Sequence, residues 1–242
     1  TAFVAIESRT EHPLLPLRVV ADRTRGGAYL GIGLAAISMF GVFLFLTYYL
    51  QQNKGFTPIQ TGLAFLPMPV AIVATSVTVN IKLLNTLGPR KIITFGMLIG
   101  AIAMVWFAQI TPSTSYAGHI LPGLLVLGVG MGSIFAPAFA TATYGVEPTD
   151  TGVASAMVNT MQQVGGSVGT ALLSSIFASA VTSYAEGRQR TPQLMGEASV
   201  HGYTVAFWVS AGVFAVGALI VGTVMRPIKV AAEEPVGQPV AA

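Results

Sequence analysis

The chain contains no cysteine. That excludes a disulfide framework and any thiolate metal site, and it leaves the redox compartment unspecified. Charge is almost as scarce: Asp, Glu, Lys and Arg make up 9% of the positions, against about 25% in a soluble domain. A water-facing surface cannot be assembled from so few. Also missing are a Walker A sequence, a His-Glu-x-x-His helix, a pair of membrane-embedded aspartates and any His/Cys/Asp cluster. Each absence removes a class of enzyme or ATP-driven pump, and no metal or cofactor finds a set of ligands. The formal net charge of +3 does not point to nucleic acid, because the basic residues lie in short connections instead of clustering on an exposed face.

What the chain does have is long apolar, charge-free stretches: 26–53, 55–81, 92–146, 151–185 and 198–225, with 53% hydrophobic residues overall. About 20 such residues span the hydrocarbon of a bilayer, and 92–146 is long enough for two crossings. The reading is an all-α integral membrane protein of six helices. We place α1 at about Gly26 to Leu50, α2 at Thr61 to Leu83, α3 at Ile92 to Ile110, α4 at Ala117 to Thr143, α5 at Thr151 to Ser183 and α6 at Tyr203 to Met225. Thr111-Pro-Ser-Thr-Ser115 divides α3 from α4, since clustered turn formers and a proline make a loop. Residues 26–229 form the bundle. Residues 1–25 are read as the end of a preceding helix, Thr1 to Ile6, plus an interfacial connector, so a fragment is expected; the alternative is a short disordered start. The Ala-, Val-, Pro- and Glu-containing tail, 230–242, lacks helical periodicity and reads as disordered.

Basic residues are retained on the cytoplasmic side of helix ends. Drawn on six crossings, one side collects Arg9, Arg18, Arg23, Arg25, Lys82, Arg90, Lys91, Arg226 and Lys229, and the other only Lys54, Arg188 and Arg190. Both termini are therefore expected in the cytoplasm of a multi-pass plasma-membrane protein, with Tyr184 to His201 as an outer loop.

Lipid supplies little hydrophobic drive between helices, so small residues that let backbones approach become the packing signal. Pairs four apart recur as Gly27/Gly31, Gly96/Gly100, Gly128/Gly132 and Gly165/Gly169. Prolines interrupt α2 at Pro67 and Pro69 and α4 at Pro122 and Pro137, each removing a backbone donor. On α5, Ser155, Asn159, Gln162 or Gln163, Gly166 and Thr170 fall at helical spacing. This stripe either lines a pathway or makes interhelical hydrogen bonds. On α1, Met39, Phe40, Phe43, Tyr48 and Tyr49 lead into Gln51 and Gln52, as a pathway wall or as a lipid-facing surface ending in an interfacial belt. Glu147 and Asp150 flank the α4–α5 turn, as solvated turn acids or partners for basic residues. His119 and His201 read as interfacial residues. No Asp, Glu, Lys or Arg occupies the middle of a span, so if solutes move with protons, the proton-carrying carboxylate lies outside this chain.

Taken together, His12-Pro-Leu-Leu-Pro-Leu17, Tyr48-Tyr-Leu-Gln51, Gly55-Phe-Thr-Pro58, Gln60-Thr-Gly-Leu-Ala-Phe-Leu-Pro67, Leu87-Gly-Pro-Arg-Lys91, Asp150-Thr-Gly-Val-Ala-Ser-Ala156 and Asn159-Thr-Met-Gln-Gln-Val-Gly-Gly166 resemble the major facilitator superfamily, in its fourteen-helix drug:proton antiporter branch. The resemblance implies that the six helices are the C-terminal half of the fold, built as two inverted three-helix repeats beside a missing N-terminal half. It implies proton-gradient-driven efflux of small organic substrates by alternating access, with no cofactor. Candidate pathway residues are Tyr48, Tyr49, Gln52, Ser155, Asn159 and Gln163. Arg90, Lys91 and Asp150 are candidates for a cytoplasmic gate, although the loop lacks the aspartate of the fuller N-half motif. A non-transporting membrane scaffold or assembly subunit is the alternative function.

Overall fold

A computed structural model describes residues 22–189 and 191–227; the expected preceding helix end, the connector before Asp22 and the tail 230–242 lie outside these. Six helices are long and apolar enough to cross a membrane: α1 Arg23–Asn53, α2 Pro58–Leu87, α3 Pro89–Phe107, α4 Tyr116–Thr143, α5 Thr151–Ala185 and α6 Pro192–Val224. No strand occurs among the described residues.

Local chemistry sets the ends. Asp22 caps α1 by accepting from the backbone N–H groups of Thr24 and Arg25. Thr57 and Gln60 form a reciprocal capping box ahead of α2, which satisfies two otherwise orphaned donors. Gly88, at φ +75°, ends α2 and lets Pro89 open α3 at once, a turn that favours glycine. The Thr111–Ser115 loop is present as expected, closed by Thr111 N–H donating to Thr114 Oγ1 at 2.8 Å.

Three expectations need correction. The outer loop expected over Tyr184 to His201 is mostly helix: Thr191 accepts from the Leu194 N–H and Pro192 takes the first turn, so α6 begins there. Proline is tolerated at that position because its N–H would be unpaired anyway. Pro137 does not interrupt α4, which runs on through it, with the Thr141 hydroxyl donating to the Pro137 carbonyl. Pro122 sits at the first turn of the regular part of α4, after a π-helical turn at Tyr116–Ile120. In α2, by contrast, the α-helix divides between Phe65 and Pro67.

The bundle has internal two-fold logic. α1 packs along α5 and α4 packs along α2, each pair parallel; α3 packs antiparallel on α4 as α6 does on α1; and α1–α4 and α3–α6 pair with their own counterparts. Exchanging α1–α3 with α4–α6 reproduces this pattern. Because each repeat has an odd number of crossings, the second enters from the opposite face. The fold is thus two inverted three-helix repeats.

The seams are made at small residues. A Cβ at Gly165 would overlap the Gly33 carbonyl oxygen, and one at Gly169 would lie 2.6 Å from the Ile37 carbonyl oxygen. On the α4–α2 seam, a Cβ at Gly132 would lie 2.6 Å from the Ile72 carbonyl oxygen, and at Gly128 2.7 Å from that of Met68. Gly96 meets Gly130 backbone to backbone between α3 and α4, while Gly100 lies under the Phe214 ring of α6. Gly27 faces Met225, just past the end of α6, and Gly31 faces Val221 of α6. Around these seams the outward faces are apolar, as with Phe95, Leu98 and Ile102 on α3 and Val216 and Leu219 on α6, which suits lipid and not water.

Gly165→Val should therefore destabilise the protein by about 1–3 kcal/mol, the range for overpacking. Gly212→Ala, whose Cβ meets nothing within 4 Å, should not. Thermal unfolding of the two variants in detergent checks this; equal melting temperatures would refute the seam.

Candidate functional site

The exposed faces are unequal. Only 22% of the apolar central window is buried in α2 and in α5, against 61% in α4. α2 offers an apolar row, including Ile59, Leu63, Leu66, Val70, Val73, Val77 and Ile81. α5 offers a polar one. Ser155, Asn159, Gln163 and Ser167 are all exposed and stand four residues apart, so they follow one another up the helix. An unpaired amide in hydrocarbon costs several kcal/mol by order of magnitude, and the side of α5 bearing this row must meet water or protein.

The expected stripe divides here. Ser155, Asn159 and Gln163 are outward, while Gln162 and Thr170 are half-buried and Gly166 is buried, its Cβ position 2.7 Å from the Phe40 ring. The reason is packing: α5 presses Ala154, Val158, Gly165, Gly166, Gly169 and Leu173 inward, so the free row advances in steps of four and leaves Gly166 behind. Ser167 is the member that sequence reasoning missed. Its signal was the same i+4 spacing, obscured by counting the nearby glycine instead.

The aromatic candidates on α1 also separate. Tyr48 is 41% exposed, whereas Tyr49 is 0% exposed. Tyr49 belongs to the interior of the bundle: its hydroxyl donates to the Thr111 carbonyl at 2.7 Å and its ring meets Tyr203 edge-on. From there it ties α1 to the α3–α4 loop. Gln52 is exposed, in a π-helical turn at Tyr49–Asn53. Neither Tyr48 nor Gln52 meets the α5 row. Phe45 stacks on Phe177, so Tyr48 lies at or beyond that level, and Asn159 is about 27 Å lower along the helix by its rise of ~1.5 Å per residue. The two groups therefore lie at different heights in the bundle.

At the end that holds Asp22, Arg90 and Met225, each gate candidate has a distinct place. Arg90 is half-buried and donates to the Gly222 carbonyl in the last turn of α6, where a cation also complements the helix dipole. Lys91 beside it is exposed, and Asp150 is 9% exposed at the start of α5. Asp22, Thr24, Arg25, Thr141, Tyr144 and Gly145 line a small cleft between the start of α1 and the end of α4, with Arg25 Nε 3.9 Å from Asp22. At the other end, Trp106 and His119 clasp reciprocally: the indole N–H donates to the His119 carbonyl at 2.9 Å and the imidazole Nε2 meets the Trp106 carbonyl at 2.9 Å. Among the described residues, no charged side chain lies in the middle of a span.

Comparison with known proteins gives these surfaces a context. Residues 5–170 match the family described as Major Facilitator Superfamily. Over 235 residues the chain is 40% identical to the puromycin resistance protein pur8 of Streptomyces alboniger, covering 96% of this chain and 47% of that protein. It is 35% identical over 173 residues to the cephamycin export protein CmcT of Amycolatopsis lactamdurans, covering 71% and 36%. It is 31% identical over 175 residues to the lincomycin resistance protein of Streptomyces lincolnensis, covering 72% and 36%. The chain thus spans about half the length, or less, of the curated relatives it matches.

If Tyr49 is an internal tie, Tyr49→Phe should cost about 0.5–1.5 kcal/mol, the net worth of one hydrogen bond, and Tyr48→Phe should cost nothing measurable. Melting curves of both variants decide; the reverse order would return Tyr49 to the wall.

Proposed function

The chain belongs to the major facilitator superfamily, and from that premise we propose that it forms the six-helix C-terminal half of a secondary transporter. In this reading the whole protein exports amphipathic organic compounds, drugs among them, in exchange for protons. The observation that carries the proposal is the row Ser155, Asn159, Gln163 and Ser167 on the open side of α5. It is polar, spans more than three turns, and lies on one of the two least buried helices. A second helical bundle opposite α2 and α5 would take the apolar row of α2 as an interface and leave the α5 row facing an aqueous path between the halves. The relatives' names, resistance to puromycin or lincomycin and export of cephamycin, support efflux as the direction.

Alternating access then consists of rocking one rigid half against the other about a midplane site. Tyr48 and Gln52 stand at one mouth of the path and Ser155 at the other, with Asn159 and Gln163 between, offering hydrogen bonds to a substrate whose apolar body contacts Phe40 and neighbouring side chains. Arg90, Lys91 and Asp150 form the cytoplasmic gate region. The proton carrier is assigned to the other half, because this bundle keeps carboxylates out of its central spans. Among the described residues, Arg23, Arg25, Lys82, Arg90, Lys91 and Arg226 lie at one end and Lys54 and Arg188 at the other, which supports a cytoplasmic location for the former.

Asn159→Leu combined with Gln163→Ala in the full-length protein should reduce efflux of responsive dyes by several-fold to tenfold at equal expression, the scale of one or two lost hydrogen bonds. Unchanged transport of every compound in a broad panel would refute the pathway. For orientation, a single cysteine at Ser113, exposed in the α3–α4 loop, should react with a membrane-impermeant maleimide in intact cells. One at Thr149, exposed in the α4–α5 turn, should react only after permeabilisation. The opposite pattern would invert the topology.

A further inference from the structure

A cleft of about 600 Å³ lies away from the α5 row, between the start of α3 and the end of α6. Its lining is amphipathic. Leu87, Phe95 and Pro227 give it an apolar floor and rim, Arg90 and Lys91 bring two cations to one side, and no acidic residue is among the described residues of its lining. Arg226, exposed next to Pro227, adds a third positive charge at the edge.

The guanidinium of Arg90 is held in place by its bond to the Gly222 carbonyl, and a guanidinium has five N–H donors, so it can keep that bond and still present others to the cleft. Lys91 is exposed and carries a mobile point charge. Below the cations the cleft opens onto apolar outer surface: Phe95 is 59% exposed, and Leu98 and Ile102 continue the same side of α3. On α6, Val216 and Leu219 are exposed as well. A cationic head region directly above an apolar strip has the charge and polarity profile of one molecule type.

We propose that this cleft is a binding site for an anionic phospholipid, with its phosphate on Arg90 and Lys91 and an acyl chain along the outer faces of α3 and α6. Basic pockets between helices at a cytoplasmic membrane surface recognise such headgroups through the same chemistry. The lipid would bridge the first turn of α3 and the last turn of α6, reinforcing the link that Arg90 already makes. The site rests on the membrane-spanning reading of the bundle but not on the identity of any transported compound.

The test uses the full-length protein reconstituted in phosphatidylcholine vesicles containing phosphatidylglycerol, with Phe95→Trp as a reporter in the cleft. Lipids brominated on the acyl chains quench tryptophan on contact. The added tryptophan, measured above the signal of the native tryptophans of the unsubstituted protein, should be quenched by brominated phosphatidylglycerol with about 30-fold preference over brominated phosphatidylcholine, the scale of two basic residues at an anionic surface. Lys91→Gln should cut that preference about fivefold, and adding Arg90→Gln should remove nearly all of it; because Lys91→Gln spares the Arg90 bond, it decides the matter even if the double variant fails to fold. Equal quenching by both lipids, or a preference untouched by Lys91→Gln, overturns the site. Full competition by millimolar inorganic phosphate overturns the lipid assignment in favour of a free-anion site. Absence of quenching by either lipid overturns the membrane placement as well, which separates that failure from the others.

Discussion

The constraint on which this bundle depends is that its helices must approach backbone to backbone, because lipid gives apolar side chains nothing to gain by meeting each other. The Gly33 carbonyl lies where a Cβ of residue 165 would stand, and the Gly96 and Gly130 backbones touch across the α3–α4 seam. Many small dispersion contacts, individually ~0.1–0.2 kcal/mol, then accumulate over the whole length of a seam. Side-chain hydrogen bonds such as Ser38 to the Ser210 carbonyl at 3.2 Å and Tyr29 to the Ala154 carbonyl at 3.4 Å fix the vertical register of surfaces that would otherwise slide.

This packing also decides where polar residues can stand. With α1 and α4 seated centrally and each gripping one edge helix of the other repeat, α5 and α2 present one face inward and leave the other open. The symmetry is not complete. α5 also packs on α6, with Phe177 stacked on Tyr203, whereas α2 meets α3 chiefly around the turn that ends at Gly88, where Val79, Leu84 and Ile92 cluster. The edge with the polar row is thus braced on two sides and holds its geometry. The edge with the apolar row is braced mainly by α4 and is divided at Pro67, so it has more freedom to adjust against whatever covers it.

Much of this was legible in the residues. Five charge-free windows, one long enough for two crossings, give six helices because a bilayer-spanning helix has a length requirement and a polarity requirement at once. Glycine pairs four apart name the seams because that spacing repeats on one face of a helix. Sequence reasoning failed where a local signal had to be weighed against a tertiary one. The start of α6 was set by hydropathy, yet Thr191 and Pro192 form a capping start eleven residues earlier. Tyr48 and Tyr49 are indistinguishable in composition, but they are adjacent and so point about 100° apart on a helix; only the position of the neighbouring helices says which ring is inside. Gly166 carried no side chain to oppose the Phe40 ring, and a small residue in a polar stripe reads equally well as pathway or as seam.

The distribution of charge limits what this bundle can do by itself. Among the described residues, basic side chains are confined to the ends and carboxylates to turns and helix ends, and the polar groups of the central spans are hydroxyls and amides. Such a wall can bind a solute and release it, since neutral hydrogen bonds are worth only about 0.5–1.5 kcal/mol net each and none of them traps a ligand. It cannot by itself couple that binding to a proton, because none of the central groups changes charge near neutral pH. The proton-coupled cycle proposed above would therefore need a titrating residue from outside this bundle, close enough for its charge to alter the affinity of the proposed path. In the proposed cycle the α5 row would be the passive side, accepting whatever the charge state of a partner bundle admits. The packing that holds α5 against both α1 and α6 is the property that role requires.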